Sequence, residues 1–280
     1  MNYRHAFHAG NFADVFKHAL LARMLVYLTR KDSPLRYLDT HAGPGLYNLT
    51  SDEAERTGEW REGVGRVATA DMPAEVADLL KPWLDGLDLG DRAARKYPGS
   101  PLLAQRLLRP IDKLILCELR EHDARMLARN LGRDRRVKAI RIDGYMALNA
   151  YVPPPERRGL VLIDPPFEDR AEFDALADAV EGAWAKWPTG CYALWYPLKR
   201  PVEAAAFAHR LSGGNLRRVL RLEIETAPVV EDAPLSACGL VVVNPPFTLE
   251  AEARALLPWL TKTLARGAGA AWRVDWLAGE

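Results

Sequence analysis

Residues 160–168 place the strongest constraint on how this chain can fold. They read Leu-Val-Leu-Ile-Asp-Pro-Pro-Phe-Glu, an apolar run that ends abruptly at two prolines. Consecutive aliphatic residues are typical of a strand that is buried on both faces, as in a parallel sheet. Proline has no N–H group for strand pairing, so the strand must end there. We therefore expect Asp164, Pro165 and Phe167 to lie at one edge of a sheet and to face a ligand.

These three residues suit the binding of an amino group on a planar base. The Asp164 carboxylate and the Pro165 carbonyl can each accept one amine hydrogen, while the Phe167 ring stacks on the flat face of the base. The pattern of Asp or Asn, two prolines and an aromatic residue resembles motif IV of amino-methyltransferases. A turn that merely ends a strand is the alternative for so short a motif.

Composition narrows the class of protein. With 280 residues and 49% hydrophobic content, the chain can bury a full core as one large domain or as one domain with an insert. A net charge of +1 predicts no overall basic surface, so any contact with nucleic acid must be local. Cys117, Cys191 and Cys238 lie in or beside apolar runs without close pairing, which indicates reduced core residues. There is no apolar signal segment or membrane span in the sequence, so we expect a soluble cytoplasmic protein.

Acidic residues follow four predicted strands in succession. The strands are residues 35–38, 113–117, 137–142 and 160–163, and the acids are Asp39, Glu118, Asp143 and Asp164. Side chains just beyond the carboxyl ends of parallel strands line the ligand crevice of an open sheet. We expect Glu118 to bind the ribose hydroxyls of a nucleoside and Asp143 to accept from an adenine amino group. One such acid could be a helix cap or a surface charge, but four in order favour a single site.

Two segments before the second strand carry further candidates. Residues 39–45 read Asp-Thr-His-Ala-Gly-Pro-Gly, and glycines such as Gly43 let the backbone approach a ligand closely. Asn11 can cap a helix with an apolar stripe, beside which Lys17 and His18 lie. A solvated helix surface is the alternative for these two side chains. The histidines have no cysteine or carboxylate at ligand spacing, so we expect no metal site.

The chain is long enough between residues 45 and 113 to hold an insert. We predict a helical subdomain at residues 49–96, with a helix near residues 73–84, inside a main domain of residues 1–48 and 97–280. Ser100, followed by Pro101, predicts a helix start, and helix capping alone could explain this serine. Strands at residues 191–196, 217–225 and 239–243 bring the predicted total to seven, the count of class I methyltransferases.

A second copy of the proline motif, Asn244-Pro245-Pro246-Phe247, follows the last predicted strand. The amide oxygen of Asn244 could also accept an amine hydrogen. If this copy were catalytic, only the segment to residue 280 would remain to form the strands that follow motif IV. With Asp164 as the acceptor, the set of strands is complete. We therefore favour Asp164 and expect Asn244 to end the seventh strand and precede the last helix.

Five motifs together carry a family resemblance. They are Tyr-Arg-His-Ala-Phe-His-Ala-Gly-Asn at residues 3–11, Asp-Thr-His-Ala-Gly-Pro-Gly at 39–45, Tyr-Pro-Gly-Ser-Pro at 97–101, Asp-Gly-Tyr at 143–145 and Ile-Asp-Pro-Pro-Phe-Glu at 163–168. Over its whole length the chain resembles the RlmJ family of bacterial 23S rRNA adenine-N6 methyltransferases. One departure is Phe167, where tyrosine is frequent; phenylalanine keeps the stacking surface and loses a hydroxyl.

The resemblance implies an α/β fold of the class I, Rossmann-like type, a seven-stranded mostly parallel sheet with a small helical insert. It implies methyl transfer from S-adenosylmethionine to an adenine amino group of 23S rRNA. The expected substrate is protein-free or at an early stage of assembly. The expected enzyme is a monomer that needs no metal and contacts no membrane. Asp164 is then the catalytic acceptor, with Pro165 and Phe167, and Tyr3, Arg4 and Phe167 meet the RNA. The implied cofactor-binding residues are Lys17, His18, Asp39, His41, Gly43, Ser100, Glu118, Asp143, Gly144 and Asp164.

Two other classes remain open. The Asp-Pro-Pro-Phe motif is also compatible with a DNA adenine amino-methyltransferase, and the fold with a non-catalytic RNA-binding assembly factor. Candidate phosphate contacts are Arg4 and the basic residues within 133–138, 199–200 and 217–218. Each of these could equally be ordinary solvated surface.

Overall fold

A computed structural model describes residues 4–87, 95–169, 171–231 and 233–279. Its strands are β1 (Arg36–Asp39), β2 (Leu46–Asn48), β3 (Lys96–Pro98), β4 (Lys113–Cys117), β5 (Val137–Ile140), β6 (Gly159–Ile163), β7 (Cys191–Pro197), β8 (Val219–Glu225), β9 (Ala237–Val243) and β10 (Ala271–Ala278). Its helices are α1 (Phe12–Thr29), α2 (Asp52–Thr57), α3 (Glu59–Glu62), α4 (Val64–Thr69), α5 (Ala74–Leu84), α6 (Ser100–Leu107), α7 (Glu121–Leu131), α8 (Gly144–Tyr151), α9 (Glu172–Lys186), α10 (Pro201–Gly213) and α11 (Leu249–Leu264).

Eight strands form one central sheet in the order β10-β8-β9-β7-β6-β1-β4-β5. The five strands from β5 to β7 in that order pair in parallel, and β9 runs antiparallel between β7 and β8. This is the mostly parallel, Rossmann-like sheet that was expected, and each of the seven predicted strands is present in it.

The central sheet has eight strands, one more than the seven that were predicted for it. The additional strand, β10, pairs antiparallel with β8 at the edge of the sheet. Its sequence, Ala-Trp-Arg-Val-Asp-Trp-Leu-Ala, mixes charged and apolar residues, and most of its side chains are at least partly exposed. A search for buried apolar runs does not find such a strand, because an edge strand needs no continuous apolar sequence.

The parallel register brings the predicted strand ends together. Asp39 aligns with Leu116 of β4 and Leu162 of β6, and Cys117 aligns with Ile140 of β5. The residues that follow these strands therefore lie at one edge of the sheet. Strand β5 ends two residues earlier than predicted, so that residues 141–142 lead from the strand to Asp143.

Helices cover both faces of the sheet. One hydrophobic cluster joins the sheet to α1, α6, α7 and α11, and a second joins it to α8, α9 and α10. Cys117, Cys191 and Cys238 are buried and unpaired, as predicted from their apolar surroundings. None of the helices in the described ranges is both long and apolar enough to cross a membrane.

Helix α1 is the most buried helix next to the site. Asn11 caps it as predicted, because its side-chain oxygen accepts from the backbone N–H groups of Ala13 and Asp14. Every residue of the helix from 12 to 25 is buried. A helix that is buried all round must pack against protein on both sides. The solvated-surface explanation for Lys17 and His18 was therefore wrong.

The predicted insert is helical, and α5 agrees with the expected helix near residues 73–84. It leaves and rejoins the main fold through the antiparallel pair β2 and β3. Trp60, Val64 and Trp83 belong to the same hydrophobic cluster as α1. The insert thus covers the face of α1 that points away from the sheet, and its boundaries at residues 49 and 96 stay a prediction.

Candidate active site

A cavity of about 1370 Å³ opens at the carboxyl ends of β1, β4, β5 and β6. This volume exceeds what one small ligand needs and leaves room for a cofactor and a base together. The predicted site residues that line it are Arg4, Lys17, His18, His41, Gly43, Ser100, Glu118, Asp143, Gly144, Asp164, Pro165 and Phe167. Asp39 lies behind the lining. Tyr3 lies outside the described residues.

Asp164 forms an ion pair with Lys17. The Lys17 Nζ atom lies 2.5 Å from Oδ2 of Asp164 and 3.0 Å from Oδ1 of Asp14. Lys17 is only 5% exposed, and burial alone would lower its pKa. The two carboxylates, Asp164 first and then Asp14, outweigh burial and raise the pKa of Lys17 above its usual value. Lys17 is therefore a fixed cation that holds one oxygen of Asp164, and the other oxygen makes no hydrogen bond with the described residues.

Asp14 is a buried carboxylate that sequence reasoning missed. Its Oδ2 atom accepts from the His5 ring at 2.9 Å and from the Gly10 N–H at 2.9 Å, in addition to the Lys17 contact of Oδ1. Burial would raise its pKa, but His5 and Lys17 together hold the pKa of Asp14 well below its usual range. The spacing of Asp14 to Lys17 and His18, three and four residues along a helix, was the available signal.

Two histidines in the cavity are neutral at neutral pH. His18 Nδ1 lies 2.7 Å from the Tyr97 hydroxyl, and His41 Nδ1 lies 2.8 Å from the Thr40 hydroxyl. Burial lowers the pKa of His18 to about 3 and that of His41 to about 4. A neutral imidazole offers one donor and one acceptor. These rings can therefore bind a ligand by hydrogen bonds without repelling a positive charge on it.

Glu118 closes the loop that follows β1. Its Oε2 atom accepts from the Gly43 N–H at 2.9 Å and its Oε1 atom from the Arg120 N–H at 2.7 Å. Burial is the main cause of a raised pKa at Glu118. Each carboxylate oxygen can accept a second hydrogen bond, so both remain able to bind ligand hydroxyls. Gly43 has a φ of +59°, and a Cβ atom there would lie 2.4 Å from the Tyr47 hydroxyl.

Asp143 caps α8. Helix capping was one of the alternatives that the sequence left open for a single acid. Its Oδ1 atom accepts from the Tyr145 and Met146 N–H groups, both at 3.0 Å, and no hydrogen bond of Oδ2 is present within the described residues. Capping and ligand binding are thus compatible. A Cβ atom on Gly144 would lie 2.6 Å from the Thr40 carbonyl oxygen and from the His41 ring. Glycine is required at 144 because the loops after β1 and β5 touch there.

Asp39 and Ser100 contact each other. Asp39 is fully buried, and its Oδ2 atom accepts from the Ser100 hydroxyl at 2.7 Å and the Tyr37 hydroxyl at 2.8 Å. Its Oδ1 atom accepts from the His41 N–H at 3.3 Å. Burial raises the pKa of Asp39 to about 6. Ser100 is the first residue of α6 and makes no capping bond, so capping was the wrong explanation for this serine.

Aromatic side chains form the wall beside Asp164. Phe167 has a φ of +50°, which turns the chain sharply after the two prolines. Its ring lies 4.9 Å from that of Phe173 and 5.9 Å, edge-on, from that of Trp195. Trp195 also lines the cavity and was missed, although its place near the end of β7 was a usable signal. Tyr145 donates to Glu172 at 2.5 Å and joins α8 to α9.

Asn244 lies at the opposite edge of the sheet. Strand β9 is antiparallel to β7, so Val243 pairs with Tyr192 at the start of β7, far from the edge that carries Asp164. The Asn244 amide donates to the carbonyls of Pro188 at 2.7 Å and Gly190 at 2.8 Å. The second proline motif therefore anchors a strand end outside the main cavity, which supports the choice of Asp164.

The candidate phosphate contacts differ in their surroundings. Arg4 pairs with Glu53 at 3.0 Å, and Lys199 lines the main cavity. Arg136 binds Asp134 and several backbone carbonyls, which gives it a structural task. Arg218 lines a second cavity at the other edge of the sheet.

Comparisons with known proteins identify the family of this chain. The family described as ribosomal RNA large subunit methyltransferase D, RlmJ, matches residues 32–278. The chain is 40% identical to the ribosomal RNA large subunit methyltransferase J of Haemophilus influenzae over 281 residues and to that of Escherichia coli over 284, with all of each chain covered.

A solved structure is also similar. The crystal structure of protein LPL1258 from Legionella pneumophila matches with a TM-score of 0.87 and 33% identity, over 96% of this chain and 98% of that one. The chain belongs to the RlmJ family of ribosomal RNA large subunit methyltransferases.

Proposed function

We propose that this protein transfers a methyl group from S-adenosylmethionine to the exocyclic amino group of one adenine in 23S rRNA. The observation that carries the proposal is the environment of Asp164. One carboxylate oxygen is held by Lys17, the other is available, and an aromatic wall that includes Phe167 stands beside it. This arrangement suits an amine on a flat base, which needs an acceptor and a stacking surface.

The cavity fits the cofactor that the family implies. Glu118 retains acceptor capacity for ribose hydroxyls, and the Oδ2 atom of Asp143 can accept from the adenine amino group. His18 and His41 are neutral, so they do not repel a sulfonium. Gly144 lets two loops meet beside these groups, and Asp39 supports the wall through Ser100. When bound, S-adenosylmethionine supplies an electrophilic methyl group.

The residues of the site act mainly by positioning. Asp164 accepts one hydrogen of the target amine through its available oxygen, and the Pro165 carbonyl accepts the other. The amine lone pair is otherwise delocalised into the adenine ring. Hydrogen bonds that favour a pyramidal nitrogen free this lone pair, and they help most in the transition state. Holding the reacting atoms close and aligned accounts for several kcal/mol of such a reaction.

Lys17 keeps Asp164 in place. Its ammonium group contacts one carboxylate oxygen at 2.5 Å, so that the other oxygen is directed to the target amine. Strong basicity is not required, because the amine proton becomes acidic only as the methyl group is transferred. The target base must leave its helix or be unpaired to enter the cavity, where it stacks on Phe167.

The finer elements of the proposal come from the family resemblance. The substrate is 23S rRNA that is protein-free or early in assembly, and the enzyme works in the cytoplasm as a monomer without a metal. Arg4 and Tyr3 bind the RNA and belong to the leader, residues 3–11. Arg4 contacts Glu53 of the insert, so RNA phosphates would compete with that carboxylate for it.

A methylation assay with mapping of the modified base tests the proposal. Purified protein and labelled S-adenosylmethionine are incubated with protein-free 23S rRNA, 16S rRNA and duplex DNA, and the products are digested to nucleosides. We expect N6-methyladenosine at one position of 23S rRNA alone. Methylated DNA would favour the DNA amino-methyltransferase. Absence of cofactor binding in calorimetry would favour the non-catalytic assembly factor.

A further inference from the structure

A second cavity, of about 470 Å³, lies at the edge of the sheet opposite the active site. It is formed where β1, β6 and β7 begin and where β9 ends, and Lys31, Arg157, Arg158, Arg218 and Phe247 are among its lining residues. We propose that this edge is a second RNA-binding site. Lys31, Arg157 and Arg218 bind phosphates there, and Phe247 stacks on an unpaired base remote from the methylated adenine. The inference rests on rRNA being the substrate.

The charge of the cavity favours an anion. The acidic side chain among its described lining residues, Glu156, is paired with Arg36 at 2.8 Å. Arg158 is tied to the carbonyls of Leu28 and Ser33. Lys31 and Arg157 are exposed at the rim of the cavity. A phosphate bound at this edge would be attracted by both of these cations.

Phe247 offers an exposed stacking surface on an anchored turn. It is 84% exposed, although it follows two buried prolines. The Asn244 amide is bound to the carbonyls of Pro188 and Gly190, so the turn that carries the ring cannot move freely. An exposed aromatic ring contributes little to the core. An exposed ring on an anchored turn, beside cationic side chains, can stack on a base without any rearrangement of the backbone.

The backbone at this edge is held in an unusual conformation. Arg157, Arg218 and Asn244 each have a φ near +50°, which is uncommon for residues with a side chain. The Arg218 carbonyl accepts from the Asn244 N–H at 2.9 Å, so two of these residues support each other. The hydroxyl of Ser33, another lining residue, is buried and makes no hydrogen bond with the described residues. A phosphate that displaced the side chains covering this hydroxyl would supply the acceptor that it lacks.

The two sites are too far apart to bind one nucleotide. Strand β6, with five residues from Gly159–Ile163, separates their edges by roughly 16 Å at about 3.3 Å per residue. An RNA that places its target base at Asp164 must therefore extend around the sheet to reach Phe247. We expect full-length rRNA to do this and the shortest fragment around the target base to end before it. The net charge of +1 makes a local cluster of this kind the expected form of an RNA contact.

Steady-state methylation of two substrates tests the proposal. The substrates are full-length 23S rRNA and the shortest fragment of it that the wild type methylates. The variants are Lys31→Glu with Arg157→Glu, and Phe247→Ala, with Lys262→Glu and Val202→Ala as controls at exposed positions elsewhere. On full-length rRNA we expect the KM of each test variant to rise about tenfold with little change in kcat. For the double variant, the slope of log affinity against log salt concentration should become less steep by about one to two.

On the short fragment, the test variants should have the KM and kcat of the wild type. The control variants should have the wild-type KM and kcat on both substrates. Ultraviolet cross-linking adds an independent readout, because the peptide that contains Phe247 should carry nucleotides remote from the methylated base. Three results would overturn the second site. They are an equal rise in KM on both substrates, an unchanged KM on full-length rRNA, and no cross-link at this peptide. A wild type that methylates no rRNA would instead overturn the proposed function.

Discussion

Asp14 shows how much of this site depends on one buried side chain. Lys17 connects it to Asp164, and His5 from the leader contacts its other oxygen. Two carboxylates and a lysine with few water contacts must balance one another, because an uncompensated buried charge is costly. The Asp164 carboxylate is therefore held by α1, and through Asp14 by His5, in addition to its own strand.

Replacing Lys17 with methionine should reduce both activity and stability. Asp14 and Asp164 would lose their shared cation, so we expect a loss of about 3 kcal/mol in the free energy of unfolding. Methyl transfer in a single turnover should fall tenfold or more because Asp164 is no longer fixed. Lys262→Met is the control at an exposed position. Full activity of Lys17→Met at saturating cofactor would contradict a positioning task for Lys17.

Replacing Glu118 with alanine should weaken cofactor binding. We expect a loss of about 1 to 3 kcal/mol by calorimetry, the scale of hydrogen bonds to a charged group. Activity should partly recover at high cofactor concentration. Glu121→Ala, on the exposed first turn of α7, is the matched control. If both variants bound the cofactor like the wild type, Glu118 would have no place in the site.

His18 should make stability depend on pH. Its folded pKa of about 3 is below the unfolded value near 6.5, so the unfolded chain binds a proton first as the pH falls. Stability is therefore lost from about pH 6.5 downward. Between pH 7 and pH 5 this amounts to about 2 kcal/mol.

Urea unfolding of the wild type and His18→Asn at pH 7 and pH 5 measures this contribution. The variant should lose less stability over that interval by the same amount. Asp39, whose pKa is raised to about 6 by burial, acts in the opposite direction but is common to both proteins. An identical pH dependence of the two proteins would show that His18 is not held neutral by the fold.

At the scale of elements, strand direction decides what a proline motif can do. Asp164 and Asn244 each follow a buried strand and precede two prolines and a phenylalanine. Strand β6 is parallel to its neighbours, whereas β9 is antiparallel, so the two motifs lie at opposite edges of the sheet. Similar local sequences therefore line the main cavity in one case and anchor a strand end in the other.

Replacing Asn244 with alanine should lower the melting temperature and leave cofactor binding unchanged. The variant loses two hydrogen bonds to backbone carbonyls and places a Cβ-bearing residue without a polar group at a φ of +51°. Asn244→Gly loses the same hydrogen bonds but tolerates that φ, so it should be the more stable of the two. Weakened cofactor binding in both would mean that this edge contributes to the cofactor site.

The order of strands and acids could be predicted from sequence because both follow from local patterns. Apolar runs indicated β1, β4, β5 and β6, and parallel pairing implied that their ends meet. The ion pair of Lys17 with Asp164 could not be predicted in this way, because 147 residues separate them and the contact depends on how α1 packs. Ser100 was read as a possible cap for the same reason, since its partner Asp39 is remote in sequence.

At the scale of the whole molecule, α1 joins the parts of the site. It lies between the sheet and the insert, and its first two turns bring Asp14, Lys17 and His18 to the cavity. The insert covers the other face of α1, where Trp60 and Trp83 pack. It also contacts the leader, since the Val64 N–H donates to the Gly10 carbonyl at 2.8 Å. Leader, insert and sheet therefore enclose the site together.

We propose that Asp164 binds the amine that receives the methyl group. The measurement that decides this is single-turnover methylation of the short 23S rRNA fragment around the target base, at saturating enzyme, by Asp164→Ala, Asp164→Asn and Asn244→Ala, with melting temperatures and cofactor affinities measured alongside. Asp164→Ala should be folded and slower by about a hundredfold or more, the scale of one lost transition-state contact. Asp164→Asn should retain more activity, because its amide oxygen still accepts a hydrogen bond, and Asn244→Ala should lose rate only in step with its stability. An active Asp164→Ala, beside an Asn244→Ala that is folded and binds the cofactor but is inactive, would show that Asp164 does not bind the amine.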